Sequence, residues 1–190
     1  MNRLASFLNH ISNWKTLLVL VILYLPFPTY FFKNAEEKIN LLAGQAIGPI
    51  DLTIGFTPKR TLQMVEAYGV RGREYYANVQ MTLDVVYPLV YTLLLAVTLT
   101  LLYRKKKYAP FSYVNLLPFV VLVFDYLENG MIVLLLKNFP EQSYTVAAFC
   151  EVFKSIKWFL ALICLLLIIY GSLKILPKSK KMKDSSTANP

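Results

Sequence analysis

The residues best suited to chemistry are carboxylates that lie inside apolar stretches of the chain. Asp125, Glu128 and Asn129 occupy the middle of the run VFDYLENGMIV, and their spacing puts them on one face of a helix. Such a pair of carboxylates suits acid–base catalysis on a lipid or isoprenoid, in which Asp125 would hold the proton and Glu128 would accept one. Oxygen ligands of this kind also suit a hard divalent cation, so such an ion is the one cofactor left open.

Two other apolar stretches carry polar side chains at helical spacing. One face of the earlier stretch carries an acid and two phenols, at Asp84, Tyr87 and Tyr91. The last stretch carries an acid, an indole and two amines, at Glu151, Trp158, Lys154 and Lys157. Measured by helical rise from the predicted helix ends, all of these residues lie in the same half of the membrane as Asp125 and Glu128. We therefore expect them, with Asn129, to line one ligand-binding pocket.

The charges of this set do not balance. It holds four acids and two lysines, so two carboxylates are left over after both lysines are matched. A charge in the hydrocarbon region costs several kcal/mol unless it finds a partner. The surplus acids must be protonated, hydrated, bound to a cation, or paired with Arg71 or Arg73 from the preceding loop. The alternative is that the ion pairs only fix the register of packed helices.

Several classes of site are excluded by composition. The chain has one histidine, His10, so neither a multi-histidine metal site nor a Ser-His-Asp triad can form. Cys150 and Cys164 fall on one helix about 21 Å apart and cannot form a disulfide with each other. There is no glycine pattern for binding a nucleotide. Basic residues flank the apolar stretches, so nucleic acid is not expected as a partner.

The elements that must hold these residues are membrane helices. The chain has 190 residues, of which 56% are hydrophobic and 16% charged, whereas soluble domains carry about 25% charged residues. We predict an all-α integral membrane protein, a four-helix bundle formed by residues 1–177 as one domain. Its spanning helices are expected at about 14–32, 76–103, 113–137 and 144–176. The prolines after residue 25 are expected to kink or end the first helix.

The loop 33–75 is too long to be structureless. Thr57 as N-cap, Pro58 at the first helical position and Gly69 as a stop predict a short amphipathic helix in it. Residues 43–56 contain three glycines and a proline and predict a turn-rich cap or a shallow re-entrant segment. Arg71 and Arg73 fit a patch that binds phosphate or carboxylate. The alternative is that their positive charges only balance the negative charges of nearby glutamates.

The distribution of charge predicts the orientation. The N-terminus, the loop after the second helix and the C-terminus together carry eleven basic residues and one acidic residue. Because lysine and arginine mark the cytoplasmic side, both termini are expected there and the long loop outside. Residues 178–190 are expected to be a disordered basic tail. A bacterial inner membrane is the first expectation for location, and the endoplasmic reticulum the second.

The leading functional interpretation is an outward-facing polar pocket. It would bind or transport a small cation, a polar molecule or a lipid headgroup. The two alternatives are an enzyme acting on a lipid or isoprenoid, and a structural accessory subunit of a membrane complex. Membrane lipids are expected partners, and a second membrane protein or a second copy of the chain stays open.

Overall fold

The computed structural model describes residues 3–53, 55, 57–104, 109–110, 113–141 and 143–175. All regular secondary structure in these ranges is helical, and 4 segments are long and apolar enough to cross a membrane. This confirms the prediction of an all-α chain with four membrane-length helices. The predicted tail at 178–190 and the lysines at 105–107 lie outside the described residues.

The first membrane segment is longer than the sequence predicts. It consists of α2 (Trp14–Tyr24), a π-helical turn (Phe27–Phe31) and α3 (Phe32–Ala43), and it is preceded by α1 (Arg3–Ile11). Pro26 and Pro28 have no N–H for the carbonyls one turn before them. The helix does not end there but continues as a π-helical turn. In this turn the N–H of Phe32 donates a hydrogen bond to the carbonyl of Phe27, five residues earlier. The segment therefore continues to Ala43 rather than ending near residue 32.

The connection from α3 to the next helix is held by backbone turns. Gly44 adopts φ 70° and caps α3, a conformation that only glycine reaches at low cost. The Asn40 side-chain oxygen then accepts hydrogen bonds from the N–H groups of Ile47 and Gly48, at 2.9 and 3.1 Å. A single 3₁₀ turn follows at Ile50–Leu52. Residues 54 and 56 of the predicted turn-rich segment lie outside the described part of the chain.

A short helix and the second membrane segment follow almost without a break. Helix α4 (Pro58–Ala67) begins after Thr57, whose side chain accepts a hydrogen bond from the Arg60 N–H. Tyr68 lies between α4 and α5 (Gly69–Tyr103), and the chain changes direction at Gly69, which has φ 65°. The second helix thus begins seven residues before the predicted position 76, and the connection between the first two membrane segments is correspondingly shorter.

The last two membrane segments pack against each other and against α5. Helix α6 (Leu117–Lys137) contacts both α5 and α7 (Tyr144–Ile175), and α4 packs on α7. We call the end of the segments at which α4 lies the loop end. The main hydrophobic core lies there and includes Ile50, Met64, Tyr76 and Ile132. The loop end therefore contains the larger of the two buried hydrophobic clusters in the described residues.

Candidate functional site

Lys157 on α7 is the centre of the buried charge cluster. Its ammonium nitrogen lies 3.4 Å from the Asp125 carboxylate on α6 and forms a closer ion pair with Glu128. The Tyr91 hydroxyl on α5 donates to the other oxygen of Asp125 at 2.5 Å. Glu128 is 0% exposed, and no donor in the described residues makes a well-angled hydrogen bond to it. One amine therefore serves two carboxylates, and three membrane segments meet at this point.

The second lysine binds the loop to α7. The Lys154 ammonium lies 2.7 Å from Glu151 and donates to the Ile50 carbonyl at 3.2 Å and to the Thr53 hydroxyl at 3.3 Å. The Thr61 hydroxyl on α4 donates to the same Glu151 oxygen at 2.5 Å. Glu151 is therefore satisfied by an amine and a hydroxyl, and both helix α4 and the segment around Ile50 are tied to α7.

Asp51 joins this cluster from the loop, and sequence reasoning missed it. The Tyr76 hydroxyl donates to its carboxylate at 2.6 Å and accepts from the Ile50 N–H at 2.9 Å. The Trp158 indole N–H donates to the Asp51 carbonyl at 3.3 Å. The signal that could have identified Asp51 is that it is an isolated acid in the otherwise uncharged, turn-rich residues 43–56.

Tyr68 holds the same loop segment from the junction of α4 and α5. Its hydroxyl donates to the Gly48 carbonyl at 2.7 Å. Burial of the ring, with smaller contributions from the charges of Asp51 and Glu36, raises the pKa of Tyr68 far above its usual value. The phenol therefore keeps its proton at physiological pH and can donate this hydrogen bond to the loop.

Asp84 is the acid without a partner. It is 7% exposed and interacts electrostatically with Asp51, Asp125, Glu128 and Lys157, yet no described residue donates a hydrogen bond to its carboxylate or forms an ion pair with it. Gln80 lies one helical turn away on the same face of α5 and is 2% exposed. Neither the oxygen nor the nitrogen of its amide has a hydrogen-bond partner in the described residues. Gln80 is thus a buried amide without a partner, and it lies one turn from a carboxylate that forms no hydrogen bond or ion pair with a described residue.

Asn129 has a structural partner. Pro88 in α5 has no N–H, so the carbonyl of Asp84 four residues earlier loses its helical hydrogen bond. The Asn129 amide on α6 donates to that carbonyl at 3.0 Å, and Tyr126 donates to the next carbonyl, that of Val85, at 2.8 Å. The Asn129 side-chain nitrogen therefore replaces the helical hydrogen bond that Pro88 removes from the Asp84 carbonyl.

Three other predicted site residues form no hydrogen bond or ion pair with the acids of the cluster. Tyr87 packs its ring against Tyr24 and Phe27, and its hydroxyl pairs with that of Tyr24 at 3.3 Å. Arg71 is exposed on α5, and Arg73 donates to the carbonyls at the end of α4. In the described residues neither arginine forms an ion pair with an acid of the cluster, so these arginines do not absorb the surplus negative charge.

The described part of the cluster has five carboxylates, including Asp51, and two lysines. Among the described residues, no group of three histidine, cysteine or acidic side chains comes together closely enough to hold a metal ion. The geometry therefore gives no support to the divalent cation that the sequence left open. What the arrangement offers instead is a buried carboxylate and a buried amide, side by side, with hydrogen-bonding capacity to spare.

No protein-family model matches the chain, and comparisons with curated proteins and with solved structures also give no match. The function must therefore be argued from the arrangement of these side chains.

Proposed function

We propose that the chain is a multi-pass membrane protein whose four segments form a bundle and whose buried acidic pocket binds a small organic cation at Asp84. The observation that carries this proposal is the unsatisfied pair of Asp84 and Gln80. The ionised form of a buried carboxylate without a hydrogen bond is strongly disfavoured, and three of the four charged groups with which Asp84 interacts electrostatically are acids. A cationic group that also donates hydrogen bonds would satisfy both residues.

Among the ligand classes considered from the sequence, an amine fits best. A polar neutral molecule would leave the surplus negative charge uncompensated, and a metal ion lacks a group of ligands in the described residues. The carboxylate of Asp84 would receive the ammonium, and the Gln80 oxygen would accept one of its N–H groups. The binding energy would come from giving the Asp84 carboxylate a charged hydrogen-bond donor inside the bundle, in exchange for the proton that the buried acid carries without a ligand.

We place the entry of such a ligand in a cavity beside α7, which neither Asp84 nor Gln80 lines. It has a volume of about 390 Å³ and is lined by Gly55, Lys154, Trp158 and Phe159, among others. The Trp158 indole is hydrogen-bonded to the backbone carbonyl of Asp51, the loop acid that interacts electrostatically with Asp84. The exposed rings of Trp158 and Phe159 would accommodate an apolar substituent. This favours an amphipathic amine over a fully hydrated ion.

The structure supports an acid–base enzyme less well, because Asp125 and Glu128 both form ion pairs with the ammonium of Lys157. Carboxylates held in an ion pair are poor donors and acceptors of a proton for a substrate. The structural interpretation is favoured for the paired part of the cluster, since Lys157 and Lys154 each link α7 to another element. The proposal therefore divides the cluster into a structural part and a binding part.

The orientation also belongs to the proposal. The excess of basic residues at the termini and around Lys106 supports cytoplasmic termini and a loop end that faces outward, in a bacterial plasma membrane. Reporter fusions test this: we expect a cytoplasmic signal at Lys106 and an external signal in the residues before Thr57. The opposite pattern would contradict the orientation without affecting the binding site.

The binding proposal is tested with a matched pair of probes. Butylammonium and 1-butanol have the same shape, and only the first carries a charge. We expect butylammonium to raise the unfolding temperature of the detergent-purified protein and 1-butanol to leave it unchanged. Asp84→Asn should abolish the effect, while Glu37→Gln, which changes an exposed acid on α3, should keep it. An equal response in Asp84→Asn would contradict the proposal.

A further inference from the structure

A second cavity opens at the loop end between α5 and α6, and none of the clustered acids lines it. Its volume is about 630 Å³. One part of its wall is apolar and includes Val70, Leu136 and Phe139, and the other part carries two basic side chains and one acid, at Arg73, Lys137 and Glu74. The formal charge of the wall is therefore positive.

Arg73 is a buried cation with hydrogen-bonding capacity left over. It is 8% exposed, and its guanidinium lies 3.7 Å from the centre of the Phe139 ring. One nitrogen, Nη1, donates to the carbonyls of Val65 and Glu66 at 3.3 and 3.5 Å. In the described residues the donors on Nε and Nη2 have no hydrogen-bond partner. The stacking on Phe139 fixes the plane of the group, so these donors are held in place for a ligand.

Lys137 supplies a second cation at the boundary of the membrane. It is the last residue of α6, and in the described part of the chain its ammonium contacts only the sulfur of Met81, at 3.4 Å. A thioether sulfur is a weak acceptor, so the charge of Lys137 is not neutralised by this contact. Glu74 lines the same cavity and would repel an anion placed against it, but it would accept a hydrogen bond from a neighbouring donor.

We propose that this cavity binds the phosphate diester of a membrane glycerophospholipid. Arg73 and Lys137 contact the phosphate, because guanidinium matches phosphate oxygens in a bidentate manner and an ammonium adds a point charge. Glu74 accepts a hydrogen bond from the hydroxyl or ammonium of the headgroup. The glycerol and the first part of an acyl chain lie against Leu136 and Phe139. The position at the end of a membrane segment favours a lipid over a soluble phosphate ester, which has the same phosphate chemistry.

The lipid is tested by native mass spectrometry of the detergent-purified chain with added phosphatidylglycerol. We expect Arg73→Gln and Lys137→Gln each to reduce the bound lipid by about tenfold or more, because each removes a direct charge-assisted contact with the phosphate. Arg71→Gln is the matched control, because Arg71 is exposed on the same helix and does not line the cavity. It should retain the bound lipid.

Two outcomes would overturn this proposal. Equal loss in Arg71→Gln would show that general surface charge, and not the cavity, attracts the lipid. Displacement of the lipid by an equimolar amount of glycerol 3-phosphate would make the soluble ester the ligand. If Arg73→Gln does not fold, Lys137→Gln still decides the question, since Lys137 is exposed and its loss leaves the packing intact. Phosphatidylcholine, which lacks a headgroup donor for Glu74, should bind more weakly than phosphatidylglycerol.

Discussion

The ammonium group of Lys157 on α7 lies 3.4 Å from the carboxylate of Asp125 on α6. The same ammonium also forms an ion pair with Glu128, so a single amine compensates two buried acids. The remaining acids of the cluster depend on hydroxyl groups, on Lys154 or, for Asp84, on no described residue. This unequal sharing separates the acids that hold the helices together from Asp84, at which we propose that a ligand binds.

Removing the amine should destabilise the protein strongly. Lys157→Met keeps most of the side-chain volume but leaves Asp125 and Glu128 buried without a counter-charge. We expect a loss of about 3–5 kcal/mol in the free energy of unfolding, the usual cost of breaking a buried ion pair from one side. Equilibrium unfolding in detergent measures it. Lys174→Met, at an exposed position of the same helix, should change stability by less than about 0.5 kcal/mol.

The Lys157 prediction has an internal check. The triple variant that adds Asp125→Asn and Glu128→Gln removes the uncompensated charges together with the amine, so it should recover a large part of the loss. If the triple variant is less stable than Lys157→Met alone, the two acids are stabilised by something other than Lys157, and the description of the ion-pair centre is wrong.

The hydroxyl of Thr61 should hold helix α4 on α7. Thr61→Val keeps the shape of the buried side chain but removes its hydrogen bond to Glu151. We expect about 1.5–3 kcal/mol of local destabilisation, because a hydrogen bond to a charged group is lost. Hydrogen exchange should become faster in the amides of α4 and remain unchanged in α6. Thr82→Val removes a hydroxyl that bonds within its own helix, and it should leave α4 unaffected.

Two glycines in the membrane helices should respond to alanine in opposite directions. A methyl group at Gly171 on α7 would lie 3.1 Å from the Tyr103 ring and 3.2 Å from Leu102 Cβ, so Gly171→Ala should cost about 1–3 kcal/mol by overpacking. A methyl group at Gly130 on α6 meets no atom within 4 Å. Gly130→Ala should therefore be neutral or stabilise by up to about 1 kcal/mol through helix propensity. Thermal unfolding of the two variants, side by side, measures the difference.

Hydropathy predicted the four membrane segments because each contains a long apolar run. The helix faces in α6 and α7 could also be predicted, since residues three or four apart on a helix point the same way. The extension of the first segment to Ala43 was missed because residues 33–43 are polar overall. Its buried positions, Ala35 and Ile39, are four residues apart and do carry a helical pattern.

The contacts by which the loop joins the site could not be predicted, although the isolated acid Asp51 could have been noticed in the sequence. Asp51, Thr61 and Tyr76 meet side chains of α7 or of the loop that are far away in the sequence, and no local spacing rule relates them. The role of Asn129 depends on Pro88 of another helix, which a single-helix face analysis does not consider. The partners of Arg73 were missed for the same reason, because they lie on the preceding helix and at the turn after α6.

The central claim is that Asp84 is the carboxyl group of the cluster to which no amine and no hydroxyl of the described residues is bonded. Dicyclohexylcarbodiimide tests it directly, since this apolar reagent takes a proton from a carboxyl group before the carboxylate attacks it, and carboxylates held by an ammonium react poorly. Peptide mapping by mass spectrometry should find the adduct at Asp84, with Asp125 and Glu128 unmodified, and butylammonium should protect Asp84. Modification of Asp125 or Glu128 with Asp84 unmodified would contradict the account.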